Sequence, residues 1–281
     1  MRFCLIVATL GRVEEVERLF GSLAVQTYRD FFVVLVDQNP DERLLPLIER
    51  FASAMEIRHE RVPSRGVSVA RNVGFPACAG ADLVAFPDDD CFYAPDTLAR
   101  VAALFAAASD VVGVVGRSEI PEKASQPSSA PPGWKVCDSR YWLIPGSVTY
   151  VQFFRRAVVE QVGGFDRHLG PGGGSPWLCG EDTDFLLRVR ETGGRVVRCP
   201  SLRVFHPAVD ATRPGYALKG FGYGRGRIAM LRRRGFPTWF TVLNTILPFL
   251  SLLWSSATTR GFRWHLFRGR LHELLHPHMP S

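Results

Sequence analysis

The chain has 281 residues, which is enough for one large domain or for one domain with a helical appendage. Hydrophobic residues make up 46% of it and charged residues 22%, a composition that excludes a mainly disordered protein. The net charge of +7 is unevenly spread, because residues 203–281 hold 12 Lys and Arg but only 2 Asp and Glu. A basic end of this kind favours an anionic partner: nucleic acid, anionic lipid or a phosphorylated substrate.

The cysteines give no sign of a metal centre or of a disulfide framework. The six residues are scattered, none form a CxxC pair, and no His stands at zinc-ligand spacing from two of them. The amino terminus begins directly with an apolar run at 3–8 and shows neither an h-region nor a cleavage site. We therefore expect reduced thiols and a catalytic part on the cytoplasmic side.

Strand and helix patterns alternate through the first 115 residues. Strands are predicted at 3–9, 31–36, 83–86 and 111–115, and helices at 13–23, 44–54, 67–79 and 96–108. We expect Pro76 to end or kink the third helix. Apolar strands separated by helices predict a mostly parallel α/β sheet with helices on both faces. Ligands bind such sheets beyond the carboxyl ends of the strands.

The middle of the chain is less regular. Residues 118–139 are rich in Pro and Ser, and they predict a long loop over the acceptor site. Further on, strands are predicted at 147–154, 195–199 and 202–205, a Gly-rich loop at 163–180, and a helix at 181–192.

Three adjacent carboxylates, Asp88, Asp89 and Asp90, follow the predicted strand at 83–86. Neighbouring carboxylates repel each other, so each needs a compensating cation. At a strand end in a cleft, Mg²⁺ or Mn²⁺ suits them, because hard divalent ions prefer oxygen ligands and bridge to substrate phosphates. The alternative is a solvated acidic turn that caps the next helix.

Two further segments carry groups suited to catalysis or to phosphate binding. Glu181 and Asp182 are the first residues of a predicted helix that follows the Gly-rich loop. One of them could be a general base, or both could simply interact favourably with the positive end of the helix dipole. Gly66 before a helix start allows a close approach to a phosphate, and Arg65 and Arg71 can pair with diphosphate oxygens.

Taken in chain order, these segments resemble the inverting glycosyltransferases of family two, which carry the GT-A fold. The resemblance covers about residues 1–206 and rests on seven segments, at 6–12, 36–39, 66–72, 88–90, 163–172, 181–182 and 204–206. It implies a GT-A domain at 1–210 that uses a UDP-, GDP- or dTDP-sugar and Mg²⁺ or Mn²⁺.

The resemblance also implies a role for particular residues. The nucleotide-sugar would contact Thr9, Arg12, Asp37, Arg65, Gly66, Arg71, Asn72, Asp88 and Asp89. The metal would bind Asp90, Asp88 and His206, although His206 is read almost equally well as a core histidine. The acceptor side would include Gly164, Phe165, Asp166, Gly172 and Trp177. Asp182 would be the catalytic base, with Glu181 supporting it or replacing it.

Residues 211–281 form a basic and apolar helical segment that we expect to associate with the membrane. No charged side chain occurs at 235–259, but polar residues and Pro248 interrupt this stretch, so a shallow hairpin or two interfacial helices are expected. Its basic flanks favour the cytoplasmic surface of the cell membrane, peripheral or re-entrant. A buried helix pair or a homodimer contact is the alternative. The Gly-rich run at 220–226 is too rich in glycine to predict a helix firmly.

The sequence therefore predicts an inverting, metal-dependent glycosyltransferase with a glycan or lipid-linked acceptor, in surface polysaccharide or lipid-linked glycan synthesis. A sugar nucleotidyltransferase is a second hypothesis, although the loop at 9–12 is short and holds one Gly. A non-catalytic nucleotide-sugar or glycan-binding membrane protein is a third. Nucleic acid is not expected as a partner, because no reader motif is present.

Overall fold

A computed structural model describes residues 1–123, 133–144 and 146–278, and within them nine strands form one sheet. The strands are β1 (Phe3–Thr9), β2 (Phe31–Asp37), β3 (Glu56–Arg61), β4 (Leu83–Ala85), β5 (Phe92–Tyr93), β6 (Val111–Glu119), β7 (Lys135–Val136), β8 (Gln152–Arg155) and β9 (Arg195–Phe205). Their order is β3-β2-β1-β4-β8-β6-β9-β5, and β7 also pairs with β9.

The first half of the sheet is parallel, and the second half is mixed. β3, β2, β1 and β4 run parallel, whereas β8 is antiparallel to both of its neighbours, β4 and β6. β9 is parallel to β6, while β5 and β7 lie antiparallel to β9. β1 and β2 consist almost wholly of buried apolar residues, as expected of central parallel strands. β3 was not predicted, because this edge strand is largely polar.

The described residues also form ten α-helices. They are α1 (Glu14–Ala24), α2 (Leu45–Phe51), α3 (Val67–Gly74), α4 (Thr97–Ala107), α5 (Arg140–Leu143), α6 (Arg156–Val162), α7 (Glu181–Glu191), α8 (Tyr216–Arg233), α9 (Thr238–Leu250) and α10 (Ala257–Leu275). As predicted, α3 ends before Pro76, which lies in the 3₁₀ turn Phe75–Cys78. In the predicted loop at 118–139, the described residues hold the end of β6, a 3₁₀ turn at Pro121–Lys123 and β7, and residues 124–132 lie outside the described part.

The chain divides into two compact units. Unit 1 consists of Met1–Arg65, Ala70–Gly164 and Phe185–Ala208, and it contains the whole sheet. Unit 2 consists of Gly66–Val69, Phe165–Asp184 and Val209–Ser281. The last segment of unit 2 begins close to the predicted boundary between 210 and 211, but two earlier segments also belong to unit 2. The predicted domain boundary stays a prediction.

In unit 2 the Gly-rich run is helical, because its glycines lie where other backbones approach closely. A Cβ atom on Gly224 would lie 2.3 Å from the Leu266 carbonyl oxygen of α10, and one on Gly226 would lie 2.3 Å from the Cys179 carbonyl oxygen. On α10, a Cβ on Gly269 would lie 2.0 Å from the Phe221 carbonyl oxygen. Close packing thus offsets the low helix propensity of glycine.

Helix α9 includes Pro248 and ends two residues later at Leu250, and the chain turns at Ser251–Trp254 before α10 begins. Proline has no N–H, so Pro248 leaves the carbonyl of Asn244, four residues earlier, without its helical partner. The guanidinium of Arg270 donates a hydrogen bond to that carbonyl. Burial lowers the pKa of Arg270 to about 10. A residue 26 positions away therefore satisfies the carbonyl that the proline leaves open.

None of the helices in the described ranges combines the length and the apolar character needed to cross a bilayer.

One pair of cysteines departs from the expected reduced thiols. Cys4 on β1 and Cys78 in the 3₁₀ turn after α3 form a disulfide, with their Cα atoms 5.5 Å apart. The free cysteines are Cys91, Cys137, Cys179 and Cys199. The two bonded residues are 74 positions apart in the sequence, so their spacing gave no sign that the fold brings them together.

The close packing of α8 on α10 can be tested with Gly269→Ala. An alanine normally stabilises a helix relative to glycine, but here its Cβ would meet the Phe221 carbonyl oxygen. We expect the free energy of unfolding to fall by about 2 kcal/mol. Chemical denaturation would measure it. In the control, Gly21→Ala, the new Cβ meets no atom within 4 Å, so a gain of about 0.5–1 kcal/mol is expected. A gain in both variants would contradict the close approach.

Candidate functional site

The carboxyl ends of β1, β2 and β4 meet in unit 1, as the sequence predicted. Thr9, the last residue of β1, is buried and lies in register with Asp37 at the end of β2. A single parallel bridge between Ala8 and Asp88 places the start of the acidic run beside the end of β1. The run occupies the turn between β4 and β5.

Each carboxylate of the acidic run has a cationic partner. Arg12 contacts two of them, with its Nη1 atom 2.6 Å from Asp89 Oδ1 and 2.5 Å from Asp90 Oδ2. Arg71, which is almost fully buried, donates from Nη2 to Asp88 Oδ1 at 2.8 Å. His206 Nε2 lies 3.0 Å from Asp90 Oδ1. These partners come from three distant parts of the sequence.

The neighbouring acids of the run have opposite pKa shifts. Burial raises the pKa of Asp89, and the positive charge of Arg12 offsets this only in part. Burial also acts to raise the pKa of Asp90, but the hydrogen bond from His206 and the charge of Arg12 outweigh it and lower that pKa. Burial acts to lower the pKa of His206, whereas its hydrogen bond and charge interaction with Asp90 raise it. Asp90 is therefore held as a carboxylate.

Three side chains of this region could hold a metal ion. One ligand atom each from Asp88, Asp90 and His206 lies within 4.8 Å of the others, and all three residues are partly exposed. The ring atom His206 Nδ1 donates to the Pro207 carbonyl oxygen at 2.7 Å, and this contact turns Nε2 toward Asp90. Two carboxylates and an oriented imidazole nitrogen fit a divalent cation.

The end of β2 is enclosed by neighbouring side chains. Asp37 is fully buried, and its oxygens accept hydrogen bonds from the Asn39 side chain at 2.7 Å and lie 3.0 Å from His59 Nε2. Asn39 in turn accepts a hydrogen bond from the backbone N–H of Gly11 at 2.7 Å. Asp37 thus positions Asn39 and the loop after β1. A direct contact from Asp37 to a nucleobase stays a prediction.

The residues predicted around Gly66 have different environments. Arg65 is exposed in unit 1, and Gly66 in unit 2 has a φ of +116°, where a Cβ would lie 3.2 Å from the Gly172 carbonyl carbon. In unit 1, Asn72 lies so close to Gly164 that a Cβ there would lie 2.6 Å from Asn72 Oδ1. Glycine is thus required at 66 and 164 on steric and conformational grounds. The ligand contacts predicted for these residues stay predictions.

Most residues predicted on the acceptor side lie in unit 2, and two of them belong to its core. Phe165 and Trp177 are buried. Asp166 accepts a hydrogen bond from Arg233 Nη2 at 2.6 Å, and the same guanidinium lies over the Trp177 ring at 5.4 Å from its centroid. Trp177 therefore has a packing role in unit 2, and its predicted contact with an acceptor stays a prediction.

The candidate base pair occupies the first turn of α7. The side chain of Glu181 is buried, and a Cβ on Gly170 would lie 3.0 Å from its carboxyl carbon. Asp182 is partly exposed. Asp184, two positions further along the same helix, is buried and forms an ion pair with Arg234 at 3.0 Å. Of the three acids, Asp182 is the one that a substrate can reach most easily.

Sequence reasoning missed two residues that shape the site. Asn39 lies in the segment at 36–39, but no role was predicted for it, although its side chain links the loop after β1 to the end of β2. Tyr150 stacks on the His206 ring with centroids 5.0 Å apart, and its hydroxyl lies 2.7 Å from Ser118 Oγ. Nothing in the spacing of Tyr150 indicated this contact, which depends on how β8 and β9 are arranged.

The model of the family described as Glycosyl transferase family 2 matches residues 4–163, which is more than half of the chain. The chain belongs to this family. The matched residues include the ends of β1, β2 and β4 and the acidic run, whereas His206 lies outside them.

Two curated relatives illustrate the similarity. The PGL/p-HBAD biosynthesis glycosyltransferase of Mycobacterium bovis is 36% identical over 103 residues, which cover 36% of this chain and 40% of that protein. The chain thus matches less than half the length of that relative. The glucosyl-dolichyl phosphate glucuronosyltransferase of Haloferax volcanii is 28% identical over 218 residues, covering 73% of this chain and 69% of the relative.

A solved structure shows that the chain has the GT-A fold. The mannosyltransferase PcManGT from Pyrobaculum calidifontis, in complex with GDP-Man and Mn²⁺, superimposes with a TM-score of 0.68 at 16% identity. The superposition covers 99% of this chain and 88% of that one. The predicted GT-A fold is confirmed, and the membrane association expected of the C-terminal segment stays a prediction.

The charge balance of the acidic run can be tested with Arg12→Gln. The variant leaves Asp89 and Asp90 with one cation fewer, so we expect a lower melting temperature in metal-free buffer. Added Mn²⁺ should raise the melting temperature of the variant more than that of the parent protein, because it replaces the lost charge. Differential scanning fluorimetry with and without Mn²⁺ measures both effects.

The matched control is Arg50→Gln, which removes an exposed ion pair with Glu17. Exposed pairs contribute about 0–1 kcal/mol, so we expect little change in the melting temperature, and Mn²⁺ should raise it by the same amount as in the parent protein. An equal Mn²⁺ response in all three proteins would contradict the proposed charge balance.

Proposed function

We propose that this family member transfers a sugar from a nucleoside-diphosphate sugar to an acceptor hydroxyl with inversion at the anomeric carbon. The observation that carries the proposal is the cluster of Asp88, Asp90 and His206 at the meeting point of the strand ends. A nucleotide-sugar fits this position, because ligands of α/β sheets bind beyond the carboxyl ends of the strands. The loops after β1 and β2, joined by Asn39, would form the nucleoside side of the site.

Asp88, Asp90 and His206 would together hold Mg²⁺ or Mn²⁺. When bound, the cation would supply positive charge to the diphosphate oxygens as the leaving group departs. The orientation of His206 supports this role, because Nδ1 donates to Pro207 and turns Nε2 toward Asp90, where Nε2 would bind the cation after losing its proton. Arg12 would exchange its contact with Asp90 for the donor phosphates once the metal is in place.

Asp182 would act as the general base. It would accept the proton of the acceptor hydroxyl as that oxygen forms a bond to the anomeric carbon. The bond from the anomeric carbon to the diphosphate oxygen breaks in the same step, and the nucleoside diphosphate carries away the bonding electrons. A single displacement of this kind inverts the anomeric configuration and needs no covalent enzyme intermediate. Glu181, buried beside Asp182 on α7, would support its position.

The acceptor would be a glycan or a lipid-linked sugar in surface polysaccharide or lipid-linked glycan synthesis. The name of the Haloferax volcanii relative, which covers 73% of this chain, specifies a glucosyl-dolichyl phosphate acceptor. The basic and apolar character of residues 211–281 agrees with a lipid-linked acceptor.

Release of nucleoside diphosphate from a panel of UDP-, GDP- and dTDP-sugars tests the proposal. With Mn²⁺ or Mg²⁺, one donor should be consumed, slowly with water and faster with a lipid-linked acceptor. Asp182→Asn should lower the rate by about 10²–10⁴-fold, because the proton has no acceptor. Donor binding by calorimetry should remain in this variant. A chelator should abolish release.

Glu191→Gln serves as the control, because it changes an exposed acid at the opposite end of the same helix, α7. Its rate should stay within about twofold of the parent protein. Full activity of Asp182→Asn would exclude it as the base. Binding of a donor without release, even with lipid-linked acceptors, would favour a non-catalytic protein. Formation of a nucleotide-sugar and pyrophosphate from a nucleoside triphosphate and a sugar phosphate would favour the nucleotidyltransferase.

A further inference from the structure

Helix α9 has the reverse of the polarity expected for a helix on the surface of a water-soluble domain. Its inward side is polar, with Thr241, Asn244 and Thr245 buried beside Pro248. Its outward side is apolar, and we call these residues the apolar outer face: Trp239, Val242, Leu243, Ile246, Leu247, Phe249 and Leu250. A helix with water on one side normally buries the apolar residues and exposes the polar ones.

The inward polar groups of α9 are satisfied within unit 2. The Thr241 hydroxyl donates to the Pro237 carbonyl at 3.3 Å, the Asn244 amide to the Phe240 carbonyl at 3.0 Å, and the Thr245 hydroxyl to the Thr241 carbonyl at 2.9 Å. Each bond reaches back four residues along the helix. Arg270 satisfies the carbonyl left open by Pro248. The inward polar side chains of α9 and the carbonyl opened by Pro248 therefore have hydrogen-bond partners within unit 2. A lipid environment requires this, because it offers no hydrogen bonds to polar groups.

The apolar surface continues into the 3₁₀ turn after α9. Leu253 is 76% exposed and Trp254 is 79% exposed, and both lie in the turn Ser251–Trp254. Two arginines of α10 lie against this turn: Arg260 donates to the Ser255 carbonyl and Arg263 to the Ser251 carbonyl, each at 3.4 Å. Positive charge thus borders the most exposed apolar residues.

The charge of these two arginines is not neutralised within the described part of unit 2. Within residues 209–281 the two acids, Asp210 and Glu273, form ion pairs with Arg213 and Arg225. An anionic surface would complement Arg260 and Arg263, and it would accept the apolar residues beside them.

We propose that the apolar outer face of α9, together with Leu253 and Trp254, inserts into the headgroup region of an anionic lipid bilayer. α9 lies in the plane of the membrane, because its 13 residues span about 20 Å, short of the ~30 Å hydrocarbon core. Trp239 and Trp254 suit the interface, where tryptophan is enriched.

A second copy of the chain is the other candidate occupant, and charge disfavours it. A two-fold contact through this face would place the Arg260 and Arg263 side chains of both copies at one interface, and the two acids of residues 209–281 already have partners. The proposed membrane binding does not depend on the proposed function. Only the use of a lipid-linked acceptor at this surface depends on that function.

Co-sedimentation with vesicles tests the proposal, using the full chain and vesicles of phosphatidylcholine with or without 30% phosphatidylglycerol. We expect binding to the anionic vesicles and weaker binding to the neutral ones. The double variant Leu253→Ser with Trp254→Ser should bind at least about tenfold more weakly, because it removes the most exposed apolar contacts. The control Trp142→Ser changes a tryptophan that is 72% exposed in unit 1 and should bind like the parent protein.

Failure of the parent protein to bind anionic vesicles would overturn the proposal, as would unchanged binding of the double variant. A dimer in light scattering that the double variant dissociates would overturn it in favour of a second copy. Release of nucleoside diphosphate without vesicles is measured in parallel on every protein. Vesicle binding with no release of nucleoside diphosphate would leave this proposal standing and count against the proposed function alone.

Discussion

The acidic run after β4 sets the constraint on which unit 1 depends. Three adjacent carboxylates cannot share one turn as anions unless cations lie beside them. The fold supplies these cations from three separate segments: Arg12 after β1, Arg71 on α3 and His206 after β9. The register of β1 with β2 and the bridge from Ala8 to Asp88 bring the segments together. The ion pairs of this one turn thus hold together the segments that lie at the ends of several strands.

The sequence predicted most of the buried strands of unit 1 well, because such strands consist of continuous apolar runs. β1 was predicted at its observed bounds, and the three proposed metal ligands are the residues that the fold brings into one cluster. β3 was missed, because an edge strand such as EIRHER carries no apolar run. The role of Asp37 was less predictable, since its burial depends on the side chains of Asn39 and His59.

The prediction failed where long-range contacts override local propensity. Glycines at 220–226 argued against a helix, yet α8 forms because α10 and residues 178–179 approach its backbone closely. Pro248 lies inside α9, where Arg270 satisfies the carbonyl that the proline leaves open, so the chain turns only after Leu250. The disulfide of Cys4 with Cys78 likewise joins residues that only the folded chain brings together. In each case the deciding partner lies too far along the sequence for spacing to reveal it.

Anomalous scattering from manganese is the most direct test of the account. Crystals would be grown with Mn²⁺ and the nucleoside diphosphate that binds best, and diffraction would be measured at the manganese edge. The account predicts one anomalous peak bonded to Asp88, Asp90 and His206 Nε2, with the diphosphate on its open side. A nucleotide bound with the manganese peak away from these three residues, or bound elsewhere on the protein, would contradict the account.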